Sequence, residues 1–276
     1  LSVYHQQKRG GKGVSGSNVA EKDFIQALLT TTNHQYLLLF TNKGRMHQLK
    51  VYEIPESSRT AKGTHISNLL PLDKQEYIAT ALGQRNFSSG HYFLFVTKKG
   101  MVKRSEISLY QNLRSSGLIA VSLKQEDELI AVKEVQTDSE IMLLTHYGLA
   151  IRFPCQDIRP MGRAAAGVKG ISLKADDQVV SAVMVTENGR RSLLTVSDFG
   201  FGKQTDLEQY RIQSRGGKGI INMKITEKTG LVTGAILVNP DDQIIMLTSA
   251  NKMIRMGVDD IRICGRSTQG VRLVKM

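Results

Sequence analysis

A spacing of about fifty residues between equivalent glycines constrains the fold of this chain more than any other feature. Six glycines share this place, 50, 54, 50, 52 and 51 residues apart: Gly13, Gly63, Gly117, Gly167, Gly219 and Gly270. An aspartate follows ten residues later at Asp23, Asp73, Asp127 and Asp177. Self-similarity at this period is typical of solenoids and propellers, in which each unit is completed by its neighbours.

Each unit contains four short apolar stretches separated by turn residues, and no stretch has helical periodicity. First strands are predicted at 118–121 and 271–274, and fourth strands at positions such as 45–49. Second strands are predicted at 24–29, 77–82, 129–135, 179–185 and 231–238, and third strands at 36–40, 92–96, 141–144, 192–196 and 244–247. A glycine, or Asn251 in the last unit, predicts a tight hairpin between third and fourth strands.

These units predict an all-β fold, a six-bladed propeller-like ring with four-stranded blades, formed by residues 1–276 as one domain. Five units are complete, and two end fragments, Leu1–Tyr4 and Val271–Val274, share the phase of one incomplete sixth blade. We therefore expect those fragments to lie close together, with the rest of the sixth unit upstream of Leu1 and downstream of Met276. A linear β-solenoid is the alternative, although its repeats are usually shorter.

The composition indicates a folded chain with a polyanionic partner. Hydrophobic residues make up 41% of the sequence, and 37 Lys and Arg against 25 Asp and Glu give a formal net charge of +12. Nucleic acid is the first expectation for the partner and an anionic membrane surface the second. No apolar run is long enough to span a bilayer. Cys155 and Cys264 occupy unrelated repeat positions, which favours reduced thiols over a disulfide.

A cationic, glycine-rich loop opens the chain at Gln7, Lys8, Arg9, Gly10, Gly11, Lys12 and Gly13. Glycine allows close approach of the backbone to another surface, and Lys and Arg are the side chains that bind phosphate. A bland surface loop would explain one such run. The run returns at Gln213–Gly219 in the same repeat phase, which favours a nucleic-acid contact.

Other cations recur once per unit, and a repeated position on a ring produces a band of charge. The arginine-glycine loops contribute Arg59, Lys62, Arg114, Arg163, Lys169, Arg215, Lys218 and Arg266. The hairpin turns and fourth strands contribute Lys43, Arg45, Lys98, Lys99, Lys103, Arg104, Arg152, Lys203 and Arg255. We predict that all of these, with residues 7–13, contact DNA phosphates, although any single one could be an ordinary solvated residue.

Two further recurrent features have a structural interpretation. An acidic-apolar pair follows the fourth strand, as in Glu106-Ile107 and Asp157-Ile158, and is interpreted as a turn acid and a core plug. Tyr4, Tyr110 and Tyr210 share one repeat position and are expected to pack rather than react. No metal-ligand spacing, Cys-x-x-Cys motif or phosphate-binding P-loop is present, so neither catalysis nor a cofactor is predicted.

The loop at residues 7–13 resembles the signature box of the C-terminal domain of the DNA gyrase A subunit, with Lys8 where the family has arginine. Degenerate copies at 163–170, 265–271 and 41–45 are also family-like. This resemblance implies a six-bladed β-pinwheel in which strands are exchanged between blades. It also implies that the domain wraps duplex DNA around a basic rim, that the box is needed for wrapping, and that wrapping directs the enzyme to introduce negative supercoils.

The same resemblance implies partners and a location. The expected partners are double-stranded DNA, the gyrase B subunit, and the N-terminal cleavage domain of the same polypeptide, in the bacterial cytoplasm at the nucleoid and with no membrane. ATP, Mg²⁺ and the nucleophilic tyrosine would belong to other parts of that type II topoisomerase. The topoisomerase IV C-terminal domain is a close alternative, but it usually lacks an intact box.

Two rivals come from other classes of protein. A protein-interaction propeller of the WD40 kind would carry Gly-His and Trp-Asp signatures, whereas this chain has no tryptophan. A propeller enzyme would need carboxylate or metal-ligand clusters.

Overall fold

The computed structural model describes residues 7–11, 14–15, 27–58, 61, 63–87, 90–112, 116–186, 191–249 and 252–275. The described residues form nineteen β-strands, β1 to β19. They are β1 Val14–Ser15, β2 Tyr36–Thr41, β3 Arg45–Lys50, β4 Ile78–Gln84, β5 Tyr92–Thr97, β6 Met101–Glu106, β7 Leu118–Ile119, β8 Leu129–Val135, β9 Glu140–Thr145, β10 Leu149–Pro154, β11 Val168–Lys169, β12 Val179–Val185, β13 Ser192–Ser197, β14 Phe201–Asp206, β15 Ile220–Ile221, β16 Val232–Val238, β17 Gln243–Leu247, β18 Lys252–Gly257 and β19 Val271–Arg272.

Short 3-10 turns are the only helical elements among the described residues. They span Val51–Glu53, Ile66–Asn68, Ile107–Tyr110, Cys155–Asp157 and Leu207–Gln209. None of them is long and apolar enough to cross a membrane. The all-β prediction is therefore confirmed.

The strands form four four-stranded antiparallel sheets and one three-stranded sheet. Their orders are β4-β2-β3-β7, β8-β5-β6-β11, β12-β9-β10-β15, β16-β13-β14-β19 and β17-β18-β1. Each four-stranded sheet takes its central hairpin from one sequence unit, one edge strand from the next unit and the other edge strand from the unit after that. Strands are thus exchanged between blades, as the resemblance implied.

This exchange corrects the assignment of strands at the two ends of the chain. The segment predicted to belong to a sixth blade contains β19, which instead pairs with β14 through Phe201 and Arg272. Val14 and Ser15 pair with Met253 and Lys252, so the start of the chain supplies one edge strand to the sheet of the last hairpin. Leu1–Tyr4 lie outside the described residues. The strand predicted at 24–29 is wrong at 27–29, which are irregular, and residues 24–26 lie outside the described residues.

The hairpin strands β5, β9 and β13 are buried on both faces because their sheets lie between two others. In β5, Phe93 and Phe95 pack with Phe40 of the preceding sheet, while Leu94 and Val96 pack with the following sheet. Alternate side chains of a strand point to opposite faces, so one apolar run serves two sheet–sheet interfaces. The same arrangement continues through the remaining sheets.

The strands taken from the next unit, β4, β8, β12 and β16, form the inner edges of the sheets. They line a cavity of about 470 Å³, to which they contribute side chains such as Lys133, Val183 and Ile236. The order of strands in each sheet therefore places the short strands β7, β11, β15, β19 and β1 at the opposite, outer edge.

The recurrent glycine is required because its backbone lies against the fourth strand of a sheet. Gly219 and Gly270 have φ of +74° and +75°. A Cβ atom there would lie 2.7 Å from the Ala150 carbonyl oxygen and 2.5 Å from the Gly202 carbonyl oxygen, respectively. Both the conformation and the space exclude a side chain. The glycine period thus marks the points where a loop docks on a neighbouring sheet.

The core residues agree with the structural interpretations made from sequence. Ile107, Ile158, Leu207 and Ile261 of the acidic-apolar pairs are buried, whereas Ile54 is only half-buried. Tyr110 and Tyr210 are buried packing residues. Cys155 and Cys264 are unpaired.

Candidate nucleic-acid interface

The outer edge of the ring is built from the arginine-glycine loops and the short strands that follow them. We call this edge the rim, comprising loops 7–11, 161–167, 213–219 and 264–270 and strands β1, β11, β15 and β19. Each loop begins with the same hydrogen bond of 2.8 Å, donated by a loop N–H to a carbonyl of a fourth strand. The donor–acceptor pairs are Gln7–Arg255, Met161–Arg104, Gln213–Arg152 and Cys264–Gln204.

Neighbouring rim loops are joined by backbone hydrogen bonds that also follow the repeat. Each is donated by the residue five positions after the recurrent glycine to the next loop along the ring. The pairs are Ser172–Gly217 at 2.8 Å, Lys224–Thr268 at 3.0 Å and Lys275–Gly11 at 3.4 Å. The last of these pairs joins the end of the chain to its opening loop, so the four loops form one continuous surface.

The rim cations on this surface fall into two groups that differ in solvent exposure. Lys8, Arg9, Arg163, Lys169 and Lys218 are exposed. Arg215 and Arg266 are half-buried, and they are held by carbonyl groups rather than by carboxylates.

The carbonyl contacts of Arg215 and Arg266 leave part of each guanidinium available. Arg215 Nε donates to the Asp157 carbonyl at 3.0 Å, and its Nη1 donates to the Lys169 carbonyl at 3.1 Å. Arg266 Nη1 donates to the Ile221 carbonyl at 2.8 Å. A guanidinium has five N–H donors in a planar fork. Fixed in this way, each retains donors and its full charge for an anionic ligand.

Three of the four hairpin-turn cations face acidic groups instead, and Lys43 is held by a carbonyl. Arg45 lies 3.2 Å from Asp73, and Lys98 Nζ lies 3.0 Å from a Glu128 oxygen. Lys99 Nζ lies 3.7 Å from Glu126. Lys43 Nζ donates to the Lys74 carbonyl at 2.8 Å. The turns are therefore largely neutralised by the acidic turn of the following unit, and the band of charge predicted there is weaker than the rim.

Four predicted DNA contacts serve the structure, which corrects their assignment. Lys103, Lys203 and Arg104 are 1%, 0% and 5% exposed. Arg104 packs 4.8 Å from the Tyr92 ring. Arg152 Nε lies 2.5 Å from a Glu140 oxygen, and its Nη1 donates to the Leu207 carbonyl. These side chains are covered because a loop from a later unit lies over the fourth strand.

Other predicted residues have intermediate positions or lie outside the described residues. Arg255 is half-buried and donates from Nε to Gln243 at 2.8 Å. Gln7, Gly10 and Gly11 lie in the rim itself. Lys12, Gly13, Arg59, Lys62 and Arg114 are outside the residues that the structure describes.

One exposed rim cation, Arg272, is absent from the sequence prediction. Its guanidinium lies 5.3 Å from the Phe201 ring centre. A signal was present, because Arg272 follows Gly270 by two residues as Lys169 follows Gly167. We add Arg272 to the rim cations.

Burial shifts the pKa of several groups beneath the rim. Desolvation lowers the pKa of Lys103 to about 7 and that of Lys203 to about 8. The nearby guanidiniums of Arg163 and Arg266 add to these decreases by repulsion. Desolvation likewise raises the pKa of Tyr110 and Tyr210 to about 12. No group of three or more His, Cys, Asp or Glu residues in the described part of the chain could hold a metal ion.

The fold and the rim together define the class of protein. It is a propeller-like ring of antiparallel sheets that exchange strands. Its outer edge carries cations, and none of these rim cations takes part in the ion pairs found among the described residues. A family model described as the DNA gyrase C-terminal domain, a β-propeller, matches residues 1–32, 35–82, 91–136, 139–190, 191–239 and 242–276. This chain belongs to that family.

Named relatives agree with this assignment. The A subunit of DNA gyrase from Lawsonia intracellularis is 57% identical over all of this chain and 34% of its own length. The corresponding protein of Staphylococcus aureus (strain MRSA252) is 42% identical over all of this chain and 31% of its own length. The chain thus spans about a third of these relatives.

Two solved structures share the fold. A DNA gyrase A C-terminal domain matches with a TM-score of 0.86 and 27% identity, covering 100% of this chain and 90% of that one. The C-terminal domain of DNA topoisomerase IV matches with a TM-score of 0.78 and 31% identity, covering 87% of this chain and 75% of that one.

Proposed function

We propose that residues 1–276 act as one non-catalytic domain that binds duplex DNA and wraps it around the rim. The observation that carries this proposal is the continuous belt of rim loops, whose cations are exposed or held only by backbone carbonyls. Lys and Arg on such a belt can neutralise successive phosphates of one duplex. The acid-paired hairpin turns and the buried Lys103 and Lys203 take no direct part.

Binding of this kind is insensitive to base sequence. Flexible cations and glycine backbones meet phosphates, which position a protein on DNA but carry no sequence information. Preference among DNA sequences would arise from their bendability, since smooth bending of 20–30 base pairs by 40–90° costs on the order of 1–6 kcal/mol. Several rim loops must therefore act together to hold a wrapped segment.

The role in a larger enzyme follows from the family. We propose that the domain presents wrapped DNA to the N-terminal cleavage domain of the same polypeptide, in an assembly with the gyrase B subunit in the bacterial cytoplasm. ATP, Mg²⁺ and strand cleavage would belong to those other domains. The wrapped geometry would then give the enzyme its negative supercoiling. The topoisomerase IV alternative is less favoured because the rim has two intact Gly-Gly-Lys-Gly loops.

Two measurements test this proposal. Binding to a linear duplex should weaken with salt, with a slope of log affinity against log salt of about −0.9 for each phosphate neutralised. Ligation of nicked circular DNA in the presence of the chain should shift the linking number, because a wrapped path is trapped on closure. Salt-insensitive binding would contradict phosphate recognition, and binding with no linking-number shift would contradict wrapping.

A further inference from the structure

Two buried lysines lie directly beneath the rim loops that lack the Gly-Gly-Lys sequence. Lys103 Nζ donates to the Ala120 carbonyl at 2.6 Å and to the carbonyl of Arg163 in the loop above it. An ammonium at this depth is costly unless its N–H groups are hydrogen-bonded. Its partners are loop carbonyls, so the same contacts that satisfy Lys103 fix the backbone at Arg163.

The arrangement recurs two units later. Lys203 Nζ donates at 2.6 Å to both the Gly265 and Arg266 carbonyls. Arg163 and Arg266 hold the same place in their loops, four residues before the recurrent glycine. Equivalent lysines therefore bind equivalent carbonyls, which argues against a chance contact.

The loops that carry Gly-Gly-Lys have isoleucine at this position of the strand below. Ile151 lies under the loop of Arg215, and Ile254 occupies the equivalent place in β18, under the opening loop. A Cβ atom on Gly217 would lie 3.4 Å from Ile151 Cδ1, an ordinary contact distance, so that loop lies directly over an apolar side chain. Around the described rim, lysine-pinned loops alternate with glycine-rich loops.

We propose that Lys103 and Lys203 are positioning residues of the DNA-binding rim, which fix the loops of Arg163 and Arg266 so that both guanidiniums meet DNA phosphates. This inference rests on the proposed function. The lysines do not touch DNA, since they are buried. They act through the loop carbonyls, and repulsion between each ammonium and its neighbouring guanidinium favours an outward arginine.

A pinned arginine would serve wrapping in a way that a glycine-rich loop cannot. Less conformational freedom is lost on binding when the contacting group is already held in place. The lysine-pinned loops would therefore contact the duplex at fixed positions, and the glycine-rich loops between them would adapt to it. Such an alternation would help to hold the duplex along a bent path.

The test is a double-mutant cycle on DNA binding in this chain. Lys103→Met and Arg163→Ala are made singly and together, and the salt slope on a linear duplex is measured for each. We expect each single change to reduce the slope by about 0.9, the value for one phosphate. The double variant should match Arg163→Ala alone, because Lys103 acts only through that arginine. Lys203→Met and Arg266→Ala form an independent second cycle.

Lys133→Met is the matched control. It makes the same substitution, but Lys133 lies in β8 and lines the cavity at the inner edges of the sheets, so the slope of this variant should equal that of the parent chain. Melting temperatures show that each variant is folded. Methionine can fill the space of the lysine stem beside the Phe95 ring, which lies 4.9 Å from Lys103 Nζ.

Several results would overturn the inference. These are an unchanged slope for folded Lys103→Met and Lys203→Met, additive losses in both cycles, or an equal loss in Lys133→Met. If the lysine variants do not fold, the arginine variants still test the inference. An unchanged slope for Arg163→Ala and Arg266→Ala would show that neither arginine contacts DNA, so the lysines would have no DNA contact to position. A parent chain that shows no salt-dependent binding would instead refute the proposed function.

Discussion

Removing the cations of the opening loop should abolish wrapping while leaving much of the DNA binding. The variant Lys8→Ala/Arg9→Ala/Lys12→Ala lowers the net charge from +12 to +9. Outside this loop, the described rim keeps Arg163, Lys169, Arg215, Lys218, Arg266 and Arg272. These cations should still dock a duplex by phosphate contacts.

The energies of the phosphate contacts and of DNA bending explain why wrapping should be lost while DNA binding remains. Three lost phosphate contacts should make the salt slope shallower by about 2.7, at about 0.9 for each. Charge-assisted hydrogen bonds contribute roughly 1.5–3 kcal/mol each. Bending one segment of 20–30 base pairs costs on the order of 1–6 kcal/mol. Three such contacts sum to roughly 4.5–9 kcal/mol, which overlaps the bending cost and for the most part exceeds it, so the arm held there should straighten.

The assay compares gel-shift affinity with the linking-number shift of ligated nicked circles. The matched control is Lys43→Ala/Lys98→Ala/Lys99→Ala, which removes the same charge from the hairpin turns, where acidic side chains and a carbonyl hold it. We expect a small effect in the control and loss of the linking-number shift in the loop variant. In the complete enzyme, the loop variant should relax DNA without supercoiling it. An unimpaired linking-number shift would refute the claim that residues 7–13 anchor the wrap.

Two further predictions concern stability. Tyr210→Phe should lower the free energy of unfolding in urea by about 1–3 kcal/mol, because Tyr210 Oη donates to buried Asn222 at 2.5 Å. Tyr110→Phe should cost less, since the carbonyl that it binds also accepts from Lys103; equal losses would contradict this difference. The free energy of unfolding should also rise from pH 7 to 9, since Lys103 and Lys203 have folded pKa values of about 7 and 8, below the usual 10.5. Above those pKa values the unfolded chain binds more protons than the folded chain, so the free energy of unfolding increases by at most about 1.4 kcal/mol per pH unit for each lysine. Urea titrations at each pH measure this increase, and replacing both lysines by methionine should flatten it.

The sequence alone predicted the repeat, the hairpins and most of the strands with small errors at their ends, the stretch at 24–29 being the exception. The third strand predicted at 92–96 is β5, Tyr92–Thr97, and the second strand predicted at 129–135 is β8 without change. These features are local, because an apolar run between turn residues describes its own conformation. The rim loops were also recognisable, since glycine and arginine recur together in phase.

Only the tertiary structure decided which segments share a sheet and which cations are free. Lys103 and Lys169 lie on paired strands of one sheet, β6 and β11, yet Lys103 is buried and Lys169 is exposed. The difference arises because a loop from the unit after next lies over the strand of Lys103, while Lys169 belongs to the covering layer itself. Such long-range pairing leaves no mark in the residues on either side of a lysine. The sequence could place the cations along the repeat, but their solvent exposure depended on how distant units exchange strands.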